Sequence, residues 1–205
     1  MAGVFDRLYK RYDQWYSKNE FAYLSELEAV KKTLPEGRGL EIGVGTGKFA
    51  SPLGIETGVD PSIEMLRLAK KRGVAAALAR GEKLPFRDSS FDYVCIIIAL
   101  CFVDDPQKVA GESFRVLKPG GKVVVGIVDK ESFLGRMYME KDSAFYKEAS
   151  FFSVDEAAAL FRKRGFTNFS FLQTVSKLPG EIKEAEEPKE GYGSGGFVVI
   201  SAERP

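Results

Sequence analysis

The sequence predicts an α/β protein built on a mostly parallel, seven-stranded sheet layered between helices, with one antiparallel strand near the C-terminus. Three observations carry this. From Gly39 onward, short apolar runs alternate with helical patterns, the order expected of a layered parallel sheet. The run Val94-Cys95-Ile96-Ile97-Ile98 lacks polar alternation, as in a strand buried on both faces. Finally, Asn168–Thr174 and Phe197–Ala202 have no helical pattern between them, so they can pair as a hairpin and leave one strand antiparallel.

Residues 1–35 read as a helical cap. Tyr9, Tyr12, Trp15 and Tyr16 recur at spacings of three and four and share a face. A second segment, from about Phe21 to Leu34, carries Leu24, Leu27 and Val30 at helical spacing and stops at Pro35-Glu36-Gly37. The first strand, Gly39–Ile42, ends in alternating glycines at Gly43, Gly45 and Gly47, with a short helix expected after Thr46. Glycine there tolerates positive φ and lets a ligand approach the backbone.

Glu56–Val59 is the second strand, closed by Asp60. A helix over Ile63–Arg72 follows, capped by Asp60 or Ser62 and ended by Gly73. Val74–Ala79 and Phe91–Leu100 are the third and fourth strands, with the loop Gly81–Phe86 between them. A helix begins at Asp105-Pro106 and runs to about Val116. Lys118-Pro119-Gly120-Gly121 is a turn into the fifth strand, Lys122–Val128. Residues 129–150 lack clear periodicity. Ser153 with Glu156 three residues on is a capping pattern for a helix to Arg164, and Glu181–Glu190 reads as a charged, solvated loop.

Composition excludes several classes. Lys and Arg total 30 against 29 Asp and Glu, giving a net charge of +1 with the signs interspersed, so there is no electrostatic footprint for nucleic acid. No apolar stretch approaches the ~20 residues of a membrane span. The N-terminus lacks a signal-peptide layout, and a cytoplasmic location is expected. There is no histidine, which removes Ser-His-Asp chemistry and histidine metal ligation. The spacing of Cys95 and Cys101 fits neither a zinc site nor a disulfide framework, and both read as buried thiols.

Ligands of an open α/β sheet sit at the carboxyl ends of the strands. Gly43, Gly45 and Gly47, then Asp60, then Arg80, Gly81 and Glu82, and finally Ile97 to Leu100 fall at such ends. An acid closing the second strand is placed to accept bonds from a ribose diol, which favours an adenosine ligand. The dinucleotide pattern G-x-G-x-x-G fails here because Lys48 stands where its third glycine would be, and no Gly-Lys-Ser/Thr phosphate loop is present.

Four segments in order carry a resemblance. They are Leu40 to Gly47; Gly58-Val59-Asp60-Pro61-Ser62; Leu84-Pro85-Phe86 with Phe91-Asp92-Tyr93-Val94; and Val116 to Gly121. Together they resemble the class I S-adenosylmethionine-dependent methyltransferases. The resemblance covers residues 38–130 closely and implies one Rossmann-like domain over 1–205, with 38–130 as its cofactor-binding core.

It further implies S-adenosyl-L-methionine as cofactor and S-adenosyl-L-homocysteine as product. Gly43, Val44, Gly45 and Gly47 would pass under the methionine portion, Glu41 would help hold its ammonium, and Asp60 would bind the ribose. Ile63 and Met65 would flank the adenine, and the Gly81 N–H would meet a ring nitrogen. Pro61, Glu82 and Ile97 complete the set. Family members commonly carry an acid where this chain has Arg80.

The acceptor is expected to be a small molecule, roofed by aromatic residues: Tyr12, Trp15, Phe102, Tyr138 and Tyr192, with Tyr16 and Phe145 beside them. An aromatic cage for a cationic amine is one form such a roof can take. A nicotinamide-dependent oxidoreductase on a related sheet, or a non-catalytic cofactor-binding protein, are the competing readings.

Overall fold

The computed structural model describes residues 2–205. Its strands are β1 (Gly39–Ile42), β2 (Thr57–Asp60), β3 (Ala75–Leu78), β4 (Phe91–Ile97), β5 (Leu117–Val128), β6 (Thr167–Thr174), β7 (Lys189–Glu190) and β8 (Phe197–Glu203). They form one sheet in the order β3-β2-β1-β4-β5-β8-β6-β7. The first five are mutually parallel, and β8 runs antiparallel between β5 and β6. The architecture is Rossmann-like, as expected, with eight strands instead of seven. The additional one is β7, two residues of the charged loop paired antiparallel with β6. A two-residue strand has no periodicity to read.

Helices α1 (Ala2–Lys18), α2 (Glu20–Thr33), α3 (Ile63–Lys71) and α5 (Phe133–Glu140) contribute to the core on one face of the sheet, and α4 (Pro106–Val116) and α6 (Val154–Arg162) to that on the other. Alternation along β4 serves both cores: Cys95 and Ile97 face the first, Val94 and Ile96 the second. The caps follow from sequence. Ser62 accepts from Met65 N at 3.3 Å, which leaves Asp60 out of the α3 cap. Ser153 and Glu156 form a complete capping box.

Three expectations are corrected. No helix follows Thr46. Residues 47–54 form successive turns with isolated helical bonds, Ser51 N to Gly47 O (3.1 Å) and Leu53 N to Phe49 O (3.2 Å), in a stretch that also holds Pro52 and Gly54. The fourth strand ends at Ile97 because Ile98 turns to φ 52°. The irregular region 129–150 contains α5, started by Ser132 accepting from Gly135 N at 3.0 Å. Among the described residues, no helix is long and apolar enough to cross a membrane.

Candidate functional site

The turn after β1 is held open by backbone geometry. Gly43, Gly45 and Gly47 have φ of 72°, 51° and 79°. A Cβ on Gly43 would stand 2.4 Å from the Ala99 Cβ, so that position is closed to side chains twice over. Gly43 N and Val44 N both donate to Val59 O, at 2.8 and 3.0 Å, pinning the turn to β2. Asp60 completes the clamp: Oδ2 accepts from Gly45 N at 2.9 Å and Oδ1 from Ser62 N at 2.8 Å. Burial raises the Asp60 carboxyl to about 6, against the lowering effect of those two N–H donors.

A cavity of about 80 Å³ opens at this turn. Gly43, Gly45, Asp60, Pro61, Met65, Gly81 and Glu82 line it, as the sequence placed them. Val44 and Gly47 support it from behind. Val44 fills the space where Gly58 lacks a side chain, and Gly47 lies against Ala69 of α3. Ile63 is half exposed and lies outside the lining.

Ile97 is buried beneath the cavity, and Ile98 forms the wall instead. Ile98 is a β-branched residue at positive φ, an outlier of the kind found at functional sites, held by its N–H to Gly126 O at 2.8 Å. Arg80 pairs with Asp104, and both line the cavity. Glu82 Oε1 accepts from the N–H groups of Asp104 and Asp105 at 2.8 and 3.2 Å, which fixes the loop after β4.

Glu41 is buried behind the turn. Its Oε2 has no hydrogen-bond partner, and burial pushes its carboxyl well above the ordinary range.

A second cavity, of about 160 Å³, is largely aromatic. Tyr12, Trp15, Phe102 and Tyr138 line it as expected, with Tyr16 and Phe145. Tyr192 does not reach either cavity. Its hydroxyl donates to Asp155 Oδ1 at 3.0 Å and its ring lies against Phe171, because the glycine-rich loop folds towards α6. Phe5, Tyr12, Ile98 and Phe102 line both cavities, so one wall separates them. Helix α1 supplies half of that wall and is tied down at two points. Asp6 accepts from Ser62 Oγ at 2.6 Å, and Asp13 pairs with Arg72 at 2.9 Å while Arg72 also donates to Thr46 O at 2.6 Å.

Phe5 and Glu26 are not marked by the sequence, and within the span Ile97 to Leu100 it is Ile98, not Ile97, that lines the cavity. Glu26 lines the aromatic cavity although it sits inside α2, as the one charged residue on the buried face Ala22, Ser25, Glu26, Ala29 and Val30.

Similarity to other proteins agrees with this geometry. Residues 40–125 match the profile of the Methyltransferase domain family. An uncharacterized protein of Methanocaldococcus jannaschii is 50% identical over 203 residues, 98% of each chain. A Thermotoga maritima S-adenosylmethionine-dependent methyltransferase, described as a possible histamine N-methyltransferase, is 51% identical. It superposes with a TM-score of 0.98 over 100% of this chain and 99% of that one. The chain is a class I S-adenosylmethionine-dependent methyltransferase. A phosphoethanolamine N-methyltransferase of Haemonchus contortus, solved with S-adenosylmethionine, shares the fold. Its TM-score is 0.64 at 20% identity, covering 88% of this chain and 52% of that one. The methyltransferase fold thus places the glycine turn, Asp60 and the orphaned Glu41 oxygen at one end of the sheet, and the aromatic cavity beside them.

Proposed function

We propose that this methyltransferase moves a methyl group from S-adenosylmethionine to a small organic acceptor in the aromatic cavity, releasing S-adenosylhomocysteine, with catalysis mainly by positioning. The supporting observation is the shared wall of Phe5, Tyr12, Ile98 and Phe102, which sets an acceptor chamber against the cavity at the glycine turn. S-adenosylmethionine, when bound, supplies a methyl group already activated on a sulfonium.

The chain's residues fit that role. The buried Glu41 Oε2 lacks a partner, and the ammonium of a methionine moiety would provide one. Each Asp60 oxygen uses one backbone donor and keeps acceptor capacity for a ribose diol. Met65, Gly81 and Glu82 lie farther along the cavity, where the adenine would rest. The absence of histidine is no obstacle, because aligning a nucleophile with an activated methyl does not require a histidine base.

Titration calorimetry with S-adenosylhomocysteine tests this reading. Asp60→Ala is expected to weaken binding roughly a hundredfold, the loss of two hydrogen bonds to a charged group, with the circular dichroism retained. Unchanged affinity in the folded variant would overturn the assignment, and binding of NAD in place of S-adenosylhomocysteine would favour the oxidoreductase reading.

A further inference from the structure

The aromatic cavity contains a group that its apolar walls do not explain. Glu26 is 2% exposed, lines this cavity and not the one at the glycine turn, and its Oε2 has no hydrogen-bond partner. It is the sole carboxylate in the lining. The hydroxyl of Tyr138, on the same lining, is also buried without a partner. Unpartnered polar groups are costly in a dry interior, and a carboxylate is costlier than a hydroxyl. A ligand carrying N–H donors and a positive charge would satisfy both groups and stabilise Glu26 in its carboxylate form.

We propose that Glu26 seats a protonated nitrogen of the acceptor, so that the acceptor is a small organic cation whose methylated atom is a different one, presented at the Tyr12, Ile98 and Phe102 wall. The proposal rests on the reading of this cavity as the acceptor site. The surrounding rings favour the same charge. Trp15, Tyr16 and the stacked pair Tyr138 and Tyr146, with centroids 4.5 Å apart, offer π-faces that attract a desolvated cation.

The cations at this cavity, Arg11 and Lys141, are both exposed, and neither pairs with Glu26. At the rim they are screened by water and salt, whereas Glu26 is not. The nitrogen on Glu26 is an anchor and does not react. A nitrogen held as a cation has no lone pair to attack a methyl group, and Glu26 has no place on the wall shared with the other cavity. Glu26 is therefore a specificity-determining residue.

Burial raises the Glu26 carboxyl to about 8, so near neutral pH the empty protein holds it mainly protonated. Seating a cation restores the carboxylate and releases that proton. The proton count thus reports on Glu26 without a mutation.

The test is calorimetry on the full chain, first with S-adenosylhomocysteine and then, on the loaded protein, with 2-phenylethylamine, 2-phenylethanol and phenylacetate. The amine is expected to bind at least roughly tenfold more tightly than the alcohol or the acid, as befits a charged hydrogen bond. In buffers of different ionisation enthalpy at pH 7, its binding should release close to one proton. Glu26→Gln, isosteric and uncharged, should abolish the preference and the proton release, leaving S-adenosylhomocysteine affinity within about twofold.

Equal binding of the three probes, no binding of the amine, or a preference that survives Glu26→Gln would each overturn the proposal. Failure of the wild type to bind S-adenosylhomocysteine would sink the cofactor reading instead. The amine preference can still be measured on the unloaded protein, which keeps the two failures apart.

Discussion

The two cavities share a wall but are built by different means. The smaller one is built around a backbone turn. Its glycines at 43 and 45 hold positive φ, the N–H groups of the turn are bonded to Val59 O and Asp60 of β2, and its acid has both oxygens engaged. The larger one is made of side chains drawn from α1, α2, α5 and the loops after β4 and α5, and it leaves Glu26 and Tyr138 unsatisfied. A backbone-built site suits a ligand shared across a family, since few side chains can alter it. A side-chain-built site can be re-specified one residue at a time. On the proposed reading, the orphaned polar atoms of the larger cavity are therefore where this chain's own selectivity would reside.

The sharpest way to break this comparison is to put a side chain into the backbone-built site. Gly43→Val places a β-branched residue at φ 72° and its Cβ on that of Ala99. The left-handed conformation alone costs about 1–2 kcal/mol, and the collision adds to it. S-adenosylhomocysteine affinity should fall at least roughly a hundredfold. Near-native affinity by calorimetry would show that the turn is more pliant than its hydrogen bonds suggest.

The same contrast explains what could be read from sequence. A turn needing three glycines and a closing acid is written in contiguous residues, so Gly43, Gly45, Gly47 and Asp60 were legible, and with them the parallel sheet. The larger cavity depends on which face of each helix turns inward. Leu24, Leu27 and Val30 point to one face of α2. Val30 is buried, but Leu24 and Leu27 are only partly so, and packing against the sheet buries Ala22, Ser25, Glu26 and Ala29 with it, because small side chains let the helix approach closely; this hid Glu26. The sequence points to Ile97 rather than Ile98, because nothing in an apolar run announces a flip to positive φ. The aromatic stripe of α1 is legible in the sequence, and three of its four residues, Tyr12, Trp15 and Tyr16, line the cavity.

A smaller effect separates the cavities by pH. Glu26 has a folded value of about 8 against an ordinary 4.5. Between those values the unfolded chain binds fewer protons than the folded one. The contribution is complete below 4.5 and is lost as pH rises through 8. The tyrosines and the cysteine around Glu26 do not titrate in that window. Burial pushes Tyr12, Tyr16 and Tyr138 well up, and Tyr146 and Cys101 to about 12. Glu41 and Asp60, also raised, are common to both proteins and cancel. The melting temperature of the wild type should thus fall relative to Glu26→Gln between pH 5 and pH 8, by roughly 10 °C for about 3 kcal/mol in a domain of this size. Parallel melting curves across that range would mean that Glu26 is solvated in the empty protein.

The smallest expected effect concerns Tyr192, which sequence placed with the acceptor and structure places with α6. Its hydroxyl donates to Asp155 Oδ1 at 3.0 Å on an exposed surface, 42% accessible, where water replaces a lost partner easily. Tyr192→Phe should change binding of S-adenosylhomocysteine and 2-phenylethylamine by less than about twofold and the melting temperature by about 1 °C or less. The same deletion at Tyr138, whose hydroxyl is buried in the cavity, removes an unpartnered group and should differ. It is expected to raise the stability of the empty protein while weakening the amine. If Tyr192→Phe rather than Tyr138→Phe weakened the amine, the glycine-rich loop would have to swing across the sheet edge on binding, and the acceptor chamber would be wider than its resting walls.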